Sequence, residues 1–331
     1  MTAAGSGQAT GMRAIGYHSS HEQHRPSALL AYAQQAEAAG FGAVSSSDHF
    51  VPWSERQGHS GYAWSWLGAA MQATTVPFGV VTAPGQRYHP AIVAQAIATL
   101  GEMFPGRLTV ALGTGEASNE HITGAPWPPK ADRNARLLEC VEVIRGLLAG
   151  AEMSVDGHVR VDRARLWTFP EVPPPLIGAA LTEETARWCG GWADGMITVH
   201  HPPEQLRRLL DAFREGGGEG KPVTVQVKVA WAESDEEALA GAYDQWRTNV
   251  FPSTLMADIE RVDQFEEAAH HVRPEDMHAS VLVSSDLGRH AAWLQEVIDL
   301  GVDHVFVHQV PRPQEAFIDA FAEKVLPELV P

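Results

Sequence analysis

Cysteine is almost absent: Cys140 and Cys189 are the only two in 331 residues. That excludes a disulfide framework and reads as a cytoplasmic chain. Both fall in helical patterns, where a buried free thiol is the ordinary role. No apolar run approaches the roughly 20 residues needed to cross a bilayer. Residues 1–11 lack the basic start and apolar segment of a signal peptide and read as a disordered extension. Positive charge is also scarce, with 24 Lys and Arg against 41 Asp and Glu and a net charge of −17. An acidic surface argues against nucleic acid or an anionic membrane as partner. A small anionic ligand stays open, because its site needs only a few local donors.

What the chain does have is alternation. Short apolar runs at 13–17, 41–47, 76–82 and 108–112 read as strands, with helical patterns at 26–39, 62–73, 90–104 and 131–149 between them. Residues 153–167 interrupt with a hairpin pattern around Asp156-Gly157. Strands resume at 175–180, 195–199, 223–232 and 304–308, and helices follow each. Eight such units imply a parallel sheet closed into a (β/α)8 TIM barrel over residues 12–331. A doubly wound sheet is the runner-up. Two insertions are expected, at about 153–169 and 251–277, the second acidic and helical.

In such a barrel the chemistry collects where the strands end. The rim then carries Glu22 after the first strand, Asp48, His49 and Trp53 after the second, and Thr82 after the third. Glu116, Asn119 and Glu120 follow the fourth, His200 and His201 the sixth, and His308 ends the eighth. Acids and imidazoles with tryptophans between them suit proton transfer beside a flat aromatic ligand. His18, His21 and His24 are a weak metal set, lying in a turn without cysteine, and no metal is expected. Gly113-Thr114-Gly115-Glu116 lacks the third glycine of a dinucleotide fingerprint and serves better as a close backbone approach to a ligand. His270-His271 reads as solvated.

Three stretches together are more specific than any one: Ser47-Asp48-His49-Phe50 with Pro52-Trp53, Arg87-Tyr88-His89-Pro90, and Gly113 through Glu120. The chain resembles the luciferase-like flavin oxidoreductases, and within them the group of deazaflavin-dependent glucose-6-phosphate dehydrogenases, from Met12 onward. The resemblance implies a TIM barrel that dimerises. It implies His49 as a base beside the hydride-accepting ring atom, Trp53 packed near the reacting centre, Glu116 as the acid on the ring's pyrimidine side, and Glu22 as an acid on the substrate side. Asp48, Thr82 and Asn119 become polar neighbours of the cofactor, and Val80-Val81 a bulge with a non-proline cis peptide behind its ring. Ala180, Leu181 and Thr182 stand where the family cradles the cofactor phosphate, with Leu181-Thr182 replacing a glycine pair.

That replacement tilts the cofactor from coenzyme F420 (an 8-hydroxy-5-deazaflavin) towards FMN. Basic residues for a sugar phosphate are missing, with Pro202 in one of their places, which speaks against glucose 6-phosphate. The expected function is hydride transfer between the cofactor ring and a small organic substrate. An FMN-dependent monooxygenase using molecular oxygen is the second reading, and a non-catalytic flavin-binding barrel the third.

Overall fold

The computed structural model describes residues 14–330; the extension expected at 1–11 lies outside the described residues. Proline starts several helices, where its missing N–H costs nothing. It opens α1 (Pro26–Ala38), α3 (Pro90–Met103) and α7 (Pro203–Phe213). His89 caps α3 by accepting from the Ala91 N–H at 3.2 Å.

The barrel strands are β1 (Ala14–Ser19), β2 (Ala43–Ser47), β3 (Phe78–Thr82) and β4 (Leu108–Leu112). A separate hairpin follows, β5 (Met153–Asp156) with β6 (Arg160–Ala164). The barrel continues with β7 (Leu176–Ala179), β8 (Met196–Val199) and β9 (Val223–Ala230), and then β11 (His304–Gln309). These eight strands pair in parallel, and β8 with β9 and β11 with β1 close the ring. A two-residue strand, β10 (Leu282–Val283), adds to the side of β9; it is too short for any periodicity to announce. The intervening helices are α2 (Ala63–Ala73), α4 (Ala117–Glu120), α5 (Lys130–Leu148), α6 (Glu183–Gly190) and α8 (Asp235–Trp246). The acidic stretch at 251–277 holds two short helices, α9 (Ser253–Met256) and α10 (Val262–Ala268). The last helices are α11 (Leu287–Asp299) and α12 (Gln314–Lys324).

Two strand ends differ from the periodicity. β3 starts at Phe78, not Val76, because Pro77 has no N–H for the ladder and the Val76 carbonyl is taken by the Arg107 guanidinium. β9 stops at Ala230, because the Trp231 N–H turns to the Gln309 side chain. The cis peptide expected at Val80-Val81 is a correction: among the described residues no peptide bond is cis. β3 keeps an unbroken register with β2 and β4 through both valines, so a trans bond, the cheaper form, serves the ladder on each side.

Alternation sorts the side chains. Val225, Val227 and Val229 of β9 pack outward in the cluster that contains Leu206, Leu294, Ile298 and Phe317. Thr224, Gln226 and Lys228 therefore face the barrel interior. Phe306 crosses that interior: a Cβ added to Gly16 would lie 2.3 Å from its ring. Gly16→Ala is expected to destabilise the protein by about 1–3 kcal/mol in urea unfolding, through overpacking. Gly68→Ala, in α2 with 3.8 Å to the Leu100 side chain, should stabilise it by about 0.4–1 kcal/mol. Equal effects at the two sites would contradict the packing assigned to Phe306.

Candidate active site

The turn after β1 carries Glu22 into the barrel mouth, where it is buried. Its Oε2 accepts from Ser20 Oγ at 2.8 Å and Ser47 Oγ at 2.9 Å. Its Oε1 lies 2.7 Å from His49 Nδ1. The small serines of β2 leave room for this contact, and the loop after β2 delivers the imidazole to it. On the far side of the ring, Nε2 is 3.8 Å from Glu116 Oε2. His49 thus stands between two carboxylates contributed by β1 and β4. Trp53 meets the imidazole edge to face at 5.2 Å, and Phe265 of α10 backs the indole in the same way at 5.3 Å.

The electrostatics follow from this arrangement. Burial alone would discharge His49, but the charge and hydrogen bond of Glu22, helped by Glu116, raise the imidazole to about 9. Burial pulls Glu22 the other way, yet His49 and the Ser47 hydroxyl hold its carboxyl well below the usual carboxylate range. Glu116 is raised, chiefly by burial. At neutral pH the set is an imidazolium on a committed carboxylate, with a second, weaker acid across the ring.

Asp48 and Asn119 sit beside this set with their polar atoms engaged inside the protein. Asp48 accepts from Thr82 Oγ1 at 2.7 Å and from the Tyr88 hydroxyl at 3.0 Å. Asn119 Oδ1 takes the N–H groups of Phe50 and Val51, and its Nδ2 donates to Glu116. Both shape the loops that carry His49 and Glu116. Arg87 joins them: its guanidinium donates to the Asp48 carbonyl at 2.7 Å and lies 3.6 Å from carboxylate oxygens of both Asp48 and Glu120. The Arg87 N–H also bonds Glu120 Oε2 at 2.6 Å. Rim reasoning left Arg87 and Tyr88 without roles, although both stand in the second motif stretch.

Val80 is buried in the core between sheet and helices, so only its backbone borders the barrel, whereas half-buried Val81 faces inward. Ala180 is buried and Leu181 exposed at the end of β7. Thr182 caps α6, accepting from the Thr185 N–H at 3.2 Å. Lys130 and Arg208 flank that helix start, 3.7 Å from Glu184 and 2.9 Å from Glu183. His18, His21 and His24 diverge: His18 bonds Ser45 and stacks with His308, His21 bonds the Gly61 carbonyl, and His24 meets Tyr32. His308 bonds Gln23 at 2.7 Å within the seam between first and last strands. Burial lowers His200, to about 4, and His201, so both are neutral at pH 7.

Among the described residues no helix is long and apolar enough to cross a membrane. Known proteins supply the context for the geometry. An F420-dependent glucose-6-phosphate dehydrogenase of Beutenbergia cavernae is 35% identical over 329 residues, covering 96% of this chain and 98% of that protein. An F420-dependent hydroxymycolic acid dehydrogenase of Mycobacterium tuberculosis is 35% identical over 324 residues, covering 96% and 88%. Among solved structures, an F420-dependent secondary alcohol dehydrogenase in complex with an F420-acetone adduct superposes with a TM-score of 0.88 at 29% identity, covering 97% of this chain and 100% of that one. The model of the luciferase-like monooxygenase family matches residues 10–304, and the chain belongs to that family.

Proposed function

We propose that the protein is an F420-dependent oxidoreductase that interconverts a small alcohol and its carbonyl compound. The observation that carries this reading is His49 held between Glu22 at 2.7 Å and Glu116 at 3.8 Å. When bound, the deazaflavin would supply the hydride acceptor or donor. The residues present fit such a group. Trp53 and Val81 offer apolar surface to a flat ring, and the Glu116–Asn119 pair offers polar contacts at its edge. The start of α6 offers backbone N–H donors to an anionic tail, and Lys130 and Arg208 beside it balance Glu184 and Glu183.

His49 does the proton work. As an imidazolium it can donate from Nε2 to a carbonyl oxygen as the adjacent carbon receives hydride, which yields the alcohol. In the reverse direction it must first lose that proton, and Glu116 is the neighbouring acceptor. Glu22 keeps Nδ1 protonated and the ring oriented. Trp53, wedged between His49 and Phe265, walls the site from water.

The choice between F420 and FMN moves towards F420 on the character of the relatives. The leaning to FMN drawn from Leu181-Thr182 weakens on a physical ground: a threonine-capped helix start turns backbone N–H groups towards an anion without glycines, with Lys130 and Arg208 balancing Glu184 and Glu183 beside it. Glucose 6-phosphate also returns to the candidate substrates, since a relative at 35% identity acts on it by name.

An absorption titration of the purified protein with F420 and with FMN tests the cofactor. F420 should saturate the protein at lower concentration, and it should then be reduced by at least one member of a panel of secondary alcohols and sugar phosphates. Binding of neither cofactor would refute the reading; tight FMN binding with oxygen consumption would replace it with the monooxygenase.

A further inference from the structure

The barrel mouth is electrically divided. The half built by β1 to β4 carries Glu22, Asp48, Glu116 and Glu120 around His49. The half built by β8, β9, β11 and the end of β1 carries His200, His201, Lys228, His308 and His18. The register places Lys228 level with His308, and the His308 ring lies 4.8 Å from that of His18, tilted against it. In a chain with a net charge of −17 this corner is rich in nitrogen, and the carboxylate whose charge reaches it, Glu22, is committed to His49.

Lys228 stands out within it. The chain has only four lysines, at 130, 221, 228 and 324, against 20 arginines. Lys130 and Lys324 pair with glutamates, and Lys221 bonds the Gly190 carbonyl. Lys228 alone points into the barrel, near the C-terminal end of β9 and partly exposed. Among the described residues none places a carboxylate within ion-pair distance of its Nζ. Its Nζ lies 5.6 Å from the Trp246 ring, and Trp246 packs in turn on His308 at 5.0 Å.

We propose that Lys228 recognises an oxyacid group of the substrate, a carboxylate or a phosphate, across the barrel mouth from the His49–Glu116 edge. A partly desolvated ammonium without a counter-ion is costly unless a ligand completes it. A cation–π contact at 5.6 Å offsets little of that cost. Burial holds His18 at about 3 and His200 at about 4, so each is neutral and has a single N–H to give to an anion, while His308 gives its own to Gln23. Burial also lowers Lys228, to about 8, which leaves it cationic at neutral pH. A lysine suits this place better than arginine, being a compact point charge rather than a fixed fork. The inference rests on the oxidoreductase reading for what happens at the other end of the substrate, but anion recognition is measurable without turnover.

The test is calorimetric titration of the full-length protein, alone and saturated with F420, with malonate and with inorganic phosphate. The wild type should bind at least one of them. Malonate alone would mark a carboxylate substrate, and phosphate alone a phosphate ester. Lys228→Met should weaken binding about tenfold or more, and Lys228→Arg should retain more of it than Lys228→Met. Because Lys228→Met removes an unpaired charge at equal length, its thermal midpoint should equal or exceed the wild-type value, and its affinity for F420 should stay within about threefold. The proposal falls if the wild type binds neither anion or if Lys228→Met binds as well as wild type. It also falls if F420 affinity drops in parallel, which would assign Lys228 to the cofactor. Anion binding in a protein that takes up no cofactor would overturn the oxidoreductase reading and leave this one standing.

Discussion

Glu22→Gln should move the pH dependence of hydride transfer further than any other single change in the site. The wild-type imidazole is held at about 9 by Glu22 against its own burial. Without the carboxylate, burial is the largest remaining influence and Glu116 the lesser opposing one, so the ring should titrate at or below its ordinary value of about 6.5. In the direction that reduces a carbonyl, single-turnover rates of the wild type should stay level up to about pH 9. Those of the variant should fall above about pH 6.5, a loss of tenfold or more at pH 8. The same pair shapes stability. His49 is raised in the folded state, so its contribution is full below about 6.5 and disappears as pH climbs through about 9. Glu22 is lowered, so its contribution is present above about 4.5 and disappears as pH falls towards its depressed value. The wild type should therefore show a plateau of unfolding free energy between these limits that the variant lacks. An unshifted rate profile in Glu22→Gln would remove Glu22 from the proton-handling set.

The largest loss of stability is expected from Arg87→Met. Its guanidinium lies 3.6 Å from two carboxylates, Asp48 and Glu120, that are almost fully buried. Removing one partner of a buried ion pair leaves uncompensated charge and costs about 3–5 kcal/mol. Glu120 is already raised, first by its burial. In the variant it should bind a proton sooner, so the deficit should shrink as pH is lowered from 7.5 to 5.5. Urea unfolding followed by tryptophan fluorescence at those two values measures both effects. Wild-type stability at pH 7.5 would show that the pairs contribute little. The turn would then hold its shape through the Tyr88–Asp48 and Thr82–Asp48 bonds and the backbone N–H of residue 87 on Glu120.

The barrel was legible because its strands are short apolar runs punctuated by proline and glycine, and because helices alternate with them without exception up to the hairpin. Glu22, His49, Trp53 and Glu116 were legible for a related reason: polar residues directly after such runs fall on one rim. What could not be read was which rim residues are free. Asp48 and Asn119, expected beside the cofactor by type and position, also hold Thr82, Tyr88 and the Phe50 and Val51 N–H groups, an internal role that no pattern announces. Lys228 was hidden because an inward lysine in a valine-rich strand looks, in one dimension, like an outward one. Only the packing of Val227 and Val229 against helices decides its side. Phe265 was unreadable because the insertion that carries it has no period to fix its direction.

The seam where the ring closes bears on when the protein can act at all. His18 touches His308, Gln23 bonds the Val310 carbonyl, and Tyr17 bonds Gln314. Each of these contacts joins residues nearly 300 positions apart, among the most expensive loops for a folding chain to shut. On a ribosome, the segment that contributes Glu22, His49 and Glu116 emerges long before β11 exists to complete the wall beside it. Catalytic competence should then appear as one late, all-or-none event during biosynthesis, set by docking of the final strand. Half-made chains would carry the acids and the imidazole without a vessel to hold a substrate against them.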